Sequence, residues 1–437
     1  MRFEPKSWLR VALAVCAVGW GGNQFVPLLP MYRVELGLSA SITQATFACY
    51  VLALVPGLLF GGPVADRFGR RAVLLPASAL SMLSGLVLVA GQSGVGWLFI
   101  GRLLAGAAGG LAFSSGAAWL AELSAAEPVG LGARRATVAM TLGFGLGPLV
   151  AGAIAQWAPW PGTLAYLPHL LLATASIVLL LGVREHPVAL DRPARGEVRT
   201  PWAPELVRVV LPMAPWVFGA ASLGLAYLPS LLAPRVPELS VMLGAVATVL
   251  TAGSGIVIQP LARRLDAPGT TRLLSAGLGL VTLGALIAAL TAATLLPILV
   301  VPAAIVLGSG YGCCLVYGLR EVRRLVPPHR LARMTAIFQS YCYLGLVLPY
   351  PLAALHDVAT PPVLLLGLAV LSLLTLAWTT LQTRSASRDA QHSESGASAH
   401  PPVCSDSQLG GPSSPTRAGT VPLTPASRAC KHTESGA

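Results

Sequence analysis

Residues 61–71 read GGPVADRFGRR, and four of these eleven are charged: Asp66, Arg67, Arg70 and Arg71. A short segment holding both signs could make and break ion pairs as a switch does, or could simply anchor the chain on the cytoplasmic side. A lone cation, Arg102, stands inside the apolar run 96–120. It could meet an anion in a polar cavity, or hydrogen-bond the backbone carbonyls of a neighbouring helix. His169, inside another run, is the side chain there that titrates near neutrality, and could carry either a proton or a plain hydrogen bond. All seventeen Asp and Glu fall in polar segments or at the ends of runs, with Glu35, Glu122, Glu321 and Asp357 nearest the apolar stretches. No acid pair, nucleophile–base set or metal-ligand spacing lies within the runs, so neither an enzyme nor a metal protein is expected.

The elements that must position these groups are long and apolar. Charged residues make up 11% of the 437 and hydrophobic ones 54%, against roughly 25% charged in a soluble domain. Runs of about 20 residues, enough to span the ~30 Å hydrocarbon layer, recur at 8–30, 43–62, 72–91, 96–120, 135–157, 163–183, 209–232, 240–261, 272–292, 296–318, 332–354 and 361–382. The fold class is therefore an all-α membrane protein of twelve transmembrane helices embedded in a lipid bilayer. The first run continues to about Pro30, too long for a signal-peptide core, and is read as a retained helix. With the N-terminus in the cytoplasm, inner segments hold 26 of the 29 basic residues; outer loops hold only Arg33 and Arg235. The net charge of +12 is thus topology, with both termini cytoplasmic, and not a nucleic-acid signal.

The chain divides into a six-helix bundle (1–183), a cytoplasmic linker (184–208), a second six-helix bundle (209–382) and a tail (383–437). FVPLLPMYRVEL (25–36) matches YLPSLLAPRVPEL (227–239), with Pro27/Pro229 and Arg33/Arg235 both 202 residues apart. GPVADRFGRR (62–71) has a degraded copy in QPLARRLDAP (259–268). Parallel duplication places a substrate site between the halves, near mid-membrane. The tail is rich in Ser, Pro, Gly and Ala and repeats SRDAQHSESGA as SRACKHTESGA; such composition is expected to remain disordered. Arg outnumbers Lys 27 to 2, a bias of GC-rich bacterial genomes.

Twelve helices in two repeats with G-x-x-x-D-R-x-G-R-R between the second and third resemble the major facilitator superfamily of secondary transporters. Gly62, Asp66, Arg67, Gly69, Arg70 and Arg71 match its loop signature. The fourth run carries R-x-x-x-G-x-x-x-G as Arg102, Gly106 and Gly110, and the fifth carries G-x-x-x-G-P-x-x-x-G as Gly143, Gly147, Pro148 and Gly152. The resemblance implies two pseudo-symmetric bundles and a conformational latch in which Asp66 docks on the eleventh helix near Arg330–Arg333. It pairs Arg70 with an acid at the inner end of the fourth helix, where Glu122 stands. It implies a coupling or substrate role for Arg102 and a drug/proton antiporter-like pattern in the fifth helix. Its cavity helices and their neighbours carry Asn23, Gln24, Trp216, Tyr227, Tyr311, Tyr317, Gln339 and Tyr341. A mostly apolar pocket with amides and phenols suits an amphipathic compound better than a sugar.

The expectation is a monomeric rocker-switch transporter of the plasma membrane, with no cofactor and the proton gradient as its energy source. It would export a small amphipathic molecule: the resemblance implies a buried carboxylate in the first or fourth helix of cation exporters, and since Asn23 and Gln24 stand there instead, either coupling uses another group or the substrate is neutral or anionic, with His169 as the candidate proton group. Import or facilitated passage of a metabolite remains the alternative, and a non-transporting membrane receptor or assembly factor the reading from another class.

Overall fold

A computed structural model describes residues 7–128, 130–185, 203–265 and 271–397, and every regular element among them is helical. Eleven helices are long and apolar enough to cross a membrane: α1 Ser7–Glu35, α2 Ala40–Phe68, α3 Arg70–Ser93, α4 Val95–Leu123, α5 Leu131–Trp157, α6 Pro161–Leu181, α7 Leu206–Arg235, α8 Pro237–Arg264, α9 Arg272–Thr294, α10 Pro297–Leu325 and α12, which crosses over Pro361–Thr383. Residues 328–354 form the remaining one, α11, whose regularity breaks at Gly345–Val347 ahead of Pro349. Local chemistry sets the boundaries. Ser39 caps α2 by accepting from the Ile42 N–H at 3.2 Å. Gly69 separates α2 from α3 at φ +103°, and Gly130 precedes α5 at φ +89°, conformations that a Cβ disfavours. α7 holds a π-helical turn at Leu223–Tyr227.

The last helix departs from expectation. It continues to Ala397, past residue 383, where the disordered tail was placed. No proline interrupts the sequence before Pro401, and Ala, Arg, Gln and Ser tolerate a helix. The rest of the tail, 398–437, and most of the linker, 186–202, lie outside the described residues; α7 has begun by Leu206, inside the expected linker.

Within lipid there is no hydrophobic gain from pressing helices together, so close packing relies on small residues. A Cβ on Gly110 of α4 would stand 2.7 Å from the Gly57 Cα of α2, and one on Gly106 would strike the Tyr50 carbonyl. α8 and α10 repeat the arrangement: Gly308 lies on the Thr251 carbonyl and Gly312 on that of Gly255. Gly106/Gly308 and Gly110/Gly312 are again 202 residues apart, so the repeat read at the loops extends into the helix pairs. A buried cluster fills each half, and a third joins them at the end away from the 61–71 loop. That third cluster packs Phe25, Leu28, Leu29 and Tyr32 of α1 with Ala221, Leu225 and Ala226 of α7 and Val241 of α8.

Candidate substrate cavity and latch

Between the halves lies an open cavity whose empty space, the solvent at its mouth included, is about 650 Å³. The first half contributes Asn23, Phe47, Tyr50, Thr141 and Phe144; the second contributes Phe218, Ala221, Leu225, Thr251, Ala252, Ile256, Tyr311, Tyr343 and Leu346. No charged residue is among them. Phe218 of α7 stacks between Tyr311 of α10 (centroids 5.6 Å, 29°) and Tyr343 of α11 (4.4 Å, 23°). Such a wall offers flat apolar faces with hydroxyl edges, suited to a planar amphipathic guest.

Of the eight residues expected here, Asn23 and Tyr311 line the cavity. The others do not. Gln24 is fully buried, with neither end of its amide partnered. Trp216 donates its indole N–H to Thr375 of α12 at 3.1 Å. Tyr227 meets His356 Nε2 at 2.9 Å in a second cavity. Tyr317 packs under Arg320, whose guanidinium is 5.4 Å from the ring. Gln339 is half-buried elsewhere on α11, and Tyr341 is 40% exposed on its outer side. The reason is helical geometry: Tyr343 and Leu346 share the cavity face at i, i+3, which turns Tyr341 away. The wall is apolar and aromatic, so polarity did not mark Phe47, Phe144 and Phe218, and Tyr50 and Tyr343 lie on α2 and α11 rather than on the expected cavity helices. The i, i+3 pair Phe47–Tyr50 was a legible signal.

Arg102 is 1% exposed and points behind the cavity wall. It donates to the Gly22 carbonyl at 2.7 Å and the Phe47 carbonyl at 3.4 Å, and stands 4.5 Å from the Tyr50 ring centroid. Gly22 and Phe47 belong to the last turns of the segments Ser7–Asn23 and Ala40–Ala48. A helix ends in under-bonded carbonyls and partial negative charge. Arg102 therefore caps two broken helices at once through its two terminal nitrogens, without a carboxylate and with its Nε unpartnered. The carbonyl-bridging option for this cation is the one the geometry displays.

His169 is also fully buried and lies off the cavity, its Nε2 3.2 Å from Ser81 Oγ. A Cβ on Gly21 would fall 2.5 Å from Nε2, and one on Gly85 2.9 Å from Nδ1. Two glycines thus open the niche that this ring occupies between α1, α3 and α6.

In the 61–71 loop, Arg70 bridges Asp66 (2.5 Å) and Glu122 of α4 (2.9 Å), so the acid expected at Glu122 is where the pairing needs it. Arg71 donates to the carbonyls of Leu181 (2.8 Å) and Val183 (3.3 Å). Arg67 lies against the Phe68 ring. Asp66 is 51% exposed on a helix that packs against α11. Sequence reading missed Glu185, whose carboxylate accepts from the N–H groups of Arg70 and Arg71 at the start of α3. It also explains Gly69, where a Cβ would stand 2.7 Å from Glu185 Oε2. Gly62 has open space where a Cβ would be. The close contacts expected of it are made by Gly57 and Gly61, which face α4.

The fifth-helix motif acts on two neighbours. Gly143 presses on the Cys16 carbonyl of α1, and a Cβ on Gly147 would stand 2.9 Å from the Trp20 carbonyl. Pro148 is buried within the helix. A Cβ on Gly152 would meet Ala245 of α8 at 2.6 Å, across the boundary between halves. Beside it, Gln156 accepts from the Met242 N–H at 3.2 Å and donates to the Glu238 carbonyl. The halves are thus closed on each other at the end opposite the latch, while the ion pairs of Arg70 stay inside the first half.

Comparison with known proteins gives one consistent result. The family model described as Major Facilitator Superfamily matches residues 11–350. The chloramphenicol resistance protein of Pseudomonas aeruginosa is 27% identical over 160 residues, 36% of this chain and 37% of the relative. The quinolone resistance protein NorA of Staphylococcus aureus is 24% identical over 131 residues, 30% of this chain and 34% of the relative. These alignments span little more than a third of each relative's length. A peptide transporter solved in complex with sulfate superposes with a TM-score of 0.67 at 16% identity, covering 87% of this chain and 96% of that one.

Proposed function

Because the chain belongs to the major facilitator superfamily, a family of transporters and not of enzymes, we propose that it is a secondary active transporter. In this reading it exports a small amphipathic compound, uncharged or anionic, across the plasma membrane by alternating access, with both termini cytoplasmic. The observation that carries the substrate class is the central cavity: fourteen lining residues, none charged, with Phe218 stacked between two tyrosines. A desolvated ion of either sign would find no counter-ion there, so this lining favours the uncharged member of that class. The resistance proteins among the relatives support the outward direction.

The latch works by state. In the conformation described, Asp66 is held by Arg70; in the alternate one it docks on the N-terminal end of α11, where the helix dipole favours an anion. The proton gradient drives the cycle. The cavity lining holds no carboxylate or imidazole, so proton and substrate use separate groups. One experiment tests the whole reading. Inverted membrane vesicles are energised and challenged with matched cationic, neutral and anionic aromatic compounds, wild type beside Phe218→Ala. Substrate-triggered proton release with neutral or anionic compounds, weakened in the variant, is the expected result. Uptake that dissipates no proton gradient would leave a facilitator, and a preference for cations would overturn the substrate class.

A further inference from the structure

At the end opposite the latch, three helices from the two halves meet at glycines. A Cβ on Gly152 of α5 would stand 2.6 Å from Ala245 of α8, and one on Gly244 of α8 would stand 3.2 Å from the Pro27 Cα of α1. Gln156 lies one turn beyond Gly152, on the same face of α5. Its amide spans the seam with both ends: Oε1 accepts from the Met242 N–H at 3.2 Å, and Nε2 donates to the Glu238 carbonyl. Those two backbone groups flank Ser240, where the α-helical part of α8 begins. The first N–H groups of a helix have no partner within it. α2, the counterpart of α8, meets that need itself, through Ser39 accepting from the Ile42 N–H. α8 has Leu239 at the cap position and makes no cap bond with it. The acceptor for its first turn comes from the other half.

We propose that Gln156 is the gating residue of this seam: a helix cap supplied across the boundary between the halves, present only while they are closed at this end. The proposal rests on the alternating access of the proposed function, and on neither its substrate nor its proton coupling. Parting the seam takes the acceptor from the Met242 N–H and the donor from the Glu238 carbonyl together, so α8 loses its cap in the open state alone. A substitution at Gln156 therefore shifts the balance between states rather than the fold. A cap is worth about a factor of five in an equilibrium, and the second bond across the seam adds to it.

The test uses the purified full chain in detergent, with spin labels on Ser93→Cys and Ile298→Cys, exposed positions at this end of the first and second half. Cys404→Ser and Cys430→Ser clear the tail of thiols. Double electron–electron resonance then reads the open and closed populations as long and short distances. Gln156→Leu keeps the bulk and loses both bonds, so it should raise the open-to-closed ratio roughly fivefold or more. Hydrogen exchange in the first turn of α8 should accelerate in the same variant. Adding Leu239→Ser gives α8 a cap of its own. That second change should restore exchange in the first turn and leave the population shifted, because the new cap is present in both states. Unchanged distances in Gln156→Leu would overturn the proposal. So would a return to the wild-type population on adding Leu239→Ser, which would make Gln156 a stabiliser of α8 and nothing more. Flux in vesicles is measured separately: a shifted population without flux would defeat the transport reading and leave this one standing.

Discussion

The two halves are built on one plan and furnished differently. The 202-residue offset read between loops relates cavity positions too: Asn23 to Leu225, Tyr50 to Ala252, Thr141 to Tyr343 and Phe144 to Leu346, all lining residues. Tyrosine is supplied reciprocally. The first half uses Tyr50 on α2 opposite Gly109 on α4; the second has Ala252 on α8 and Tyr311 on α10, at the equivalent positions. Gly143 against α1 recurs as Gly345 against α7. Charge recurs only in part: Arg33 and Arg70 are matched by Arg235 and Arg272, while the acids of the latch and the buried cation are not. Arg102 corresponds to Ala304, which is fully buried and packs its Cα near Gly224, the counterpart of Gly22. Glu122 corresponds to Arg324, which is tied with Arg320 to Glu321 on the same helix. Duplication preserved what two helices need in order to touch, while the latch and the buried cation belong to the first half alone.

The largest effect should come from breaking what is shared. Gly110→Val and Gly312→Val each force a branched side chain into a facing backbone, at a cost of about 3 kcal/mol or more. Both should remove most monodisperse protein in size-exclusion chromatography of detergent extracts. A loss confined to one half would mean that the glycine contacts are not equivalent.

Breaking the asymmetry should cost less and say more. Arg102→Met removes two charge-assisted bonds and leaves the Gly22 and Phe47 carbonyls under-bonded, so thermal unfolding should show a loss of about 2 kcal/mol. Transport should fall with it, because those carbonyls hold the breaks in α1 and α2 beside Asn23 and Tyr50. Ala304→Ser, at the matching place, should change neither. At the latch, Asp66→Asn should stop transport while insertion and folding remain normal; normal flux would reduce the charged loop to a topological anchor.

How much of this was legible follows from which physics was local. Helix spans, the repeat and the glycine contacts are written in short-range pattern, and most helices start and stop within a few residues of the runs, the tenth and twelfth running on past their expected ends. Glu122 was legible because one helix and one loop fixed its place. Trp216, Tyr227 and Tyr317 were misplaced because polar groups inside a membrane protein must pair wherever packing takes them, and Thr375, His356 and Arg320 lie far along the chain or on an unexpected face. Arg102 offered two readings in the sequence. Only the breaks in α1 and α2, a tertiary feature, show which carbonyls it holds.

The smallest predicted effect sharpens the comparison at helix starts. α3 begins under the Glu185 carboxylate, which accepts from its first two N–H groups, whereas α9 begins after Thr271 with no side-chain cap bond. Glu185→Gln keeps the acceptor and removes the charge, so its effect isolates the interaction with the helix dipole, about 0.5–1 kcal/mol. Hydrogen exchange in the first turn of α3 should accelerate roughly two- to fivefold, with α9 unchanged. Because Glu185 also seats the chain leaving α6, the same variant should loosen Arg71 from the Leu181 and Val183 carbonyls. Exchange unaltered in α3 would mean that the positive φ of Gly69 accommodates a carboxylate whose charge contributes nothing, and that the two halves start these helices on equal terms.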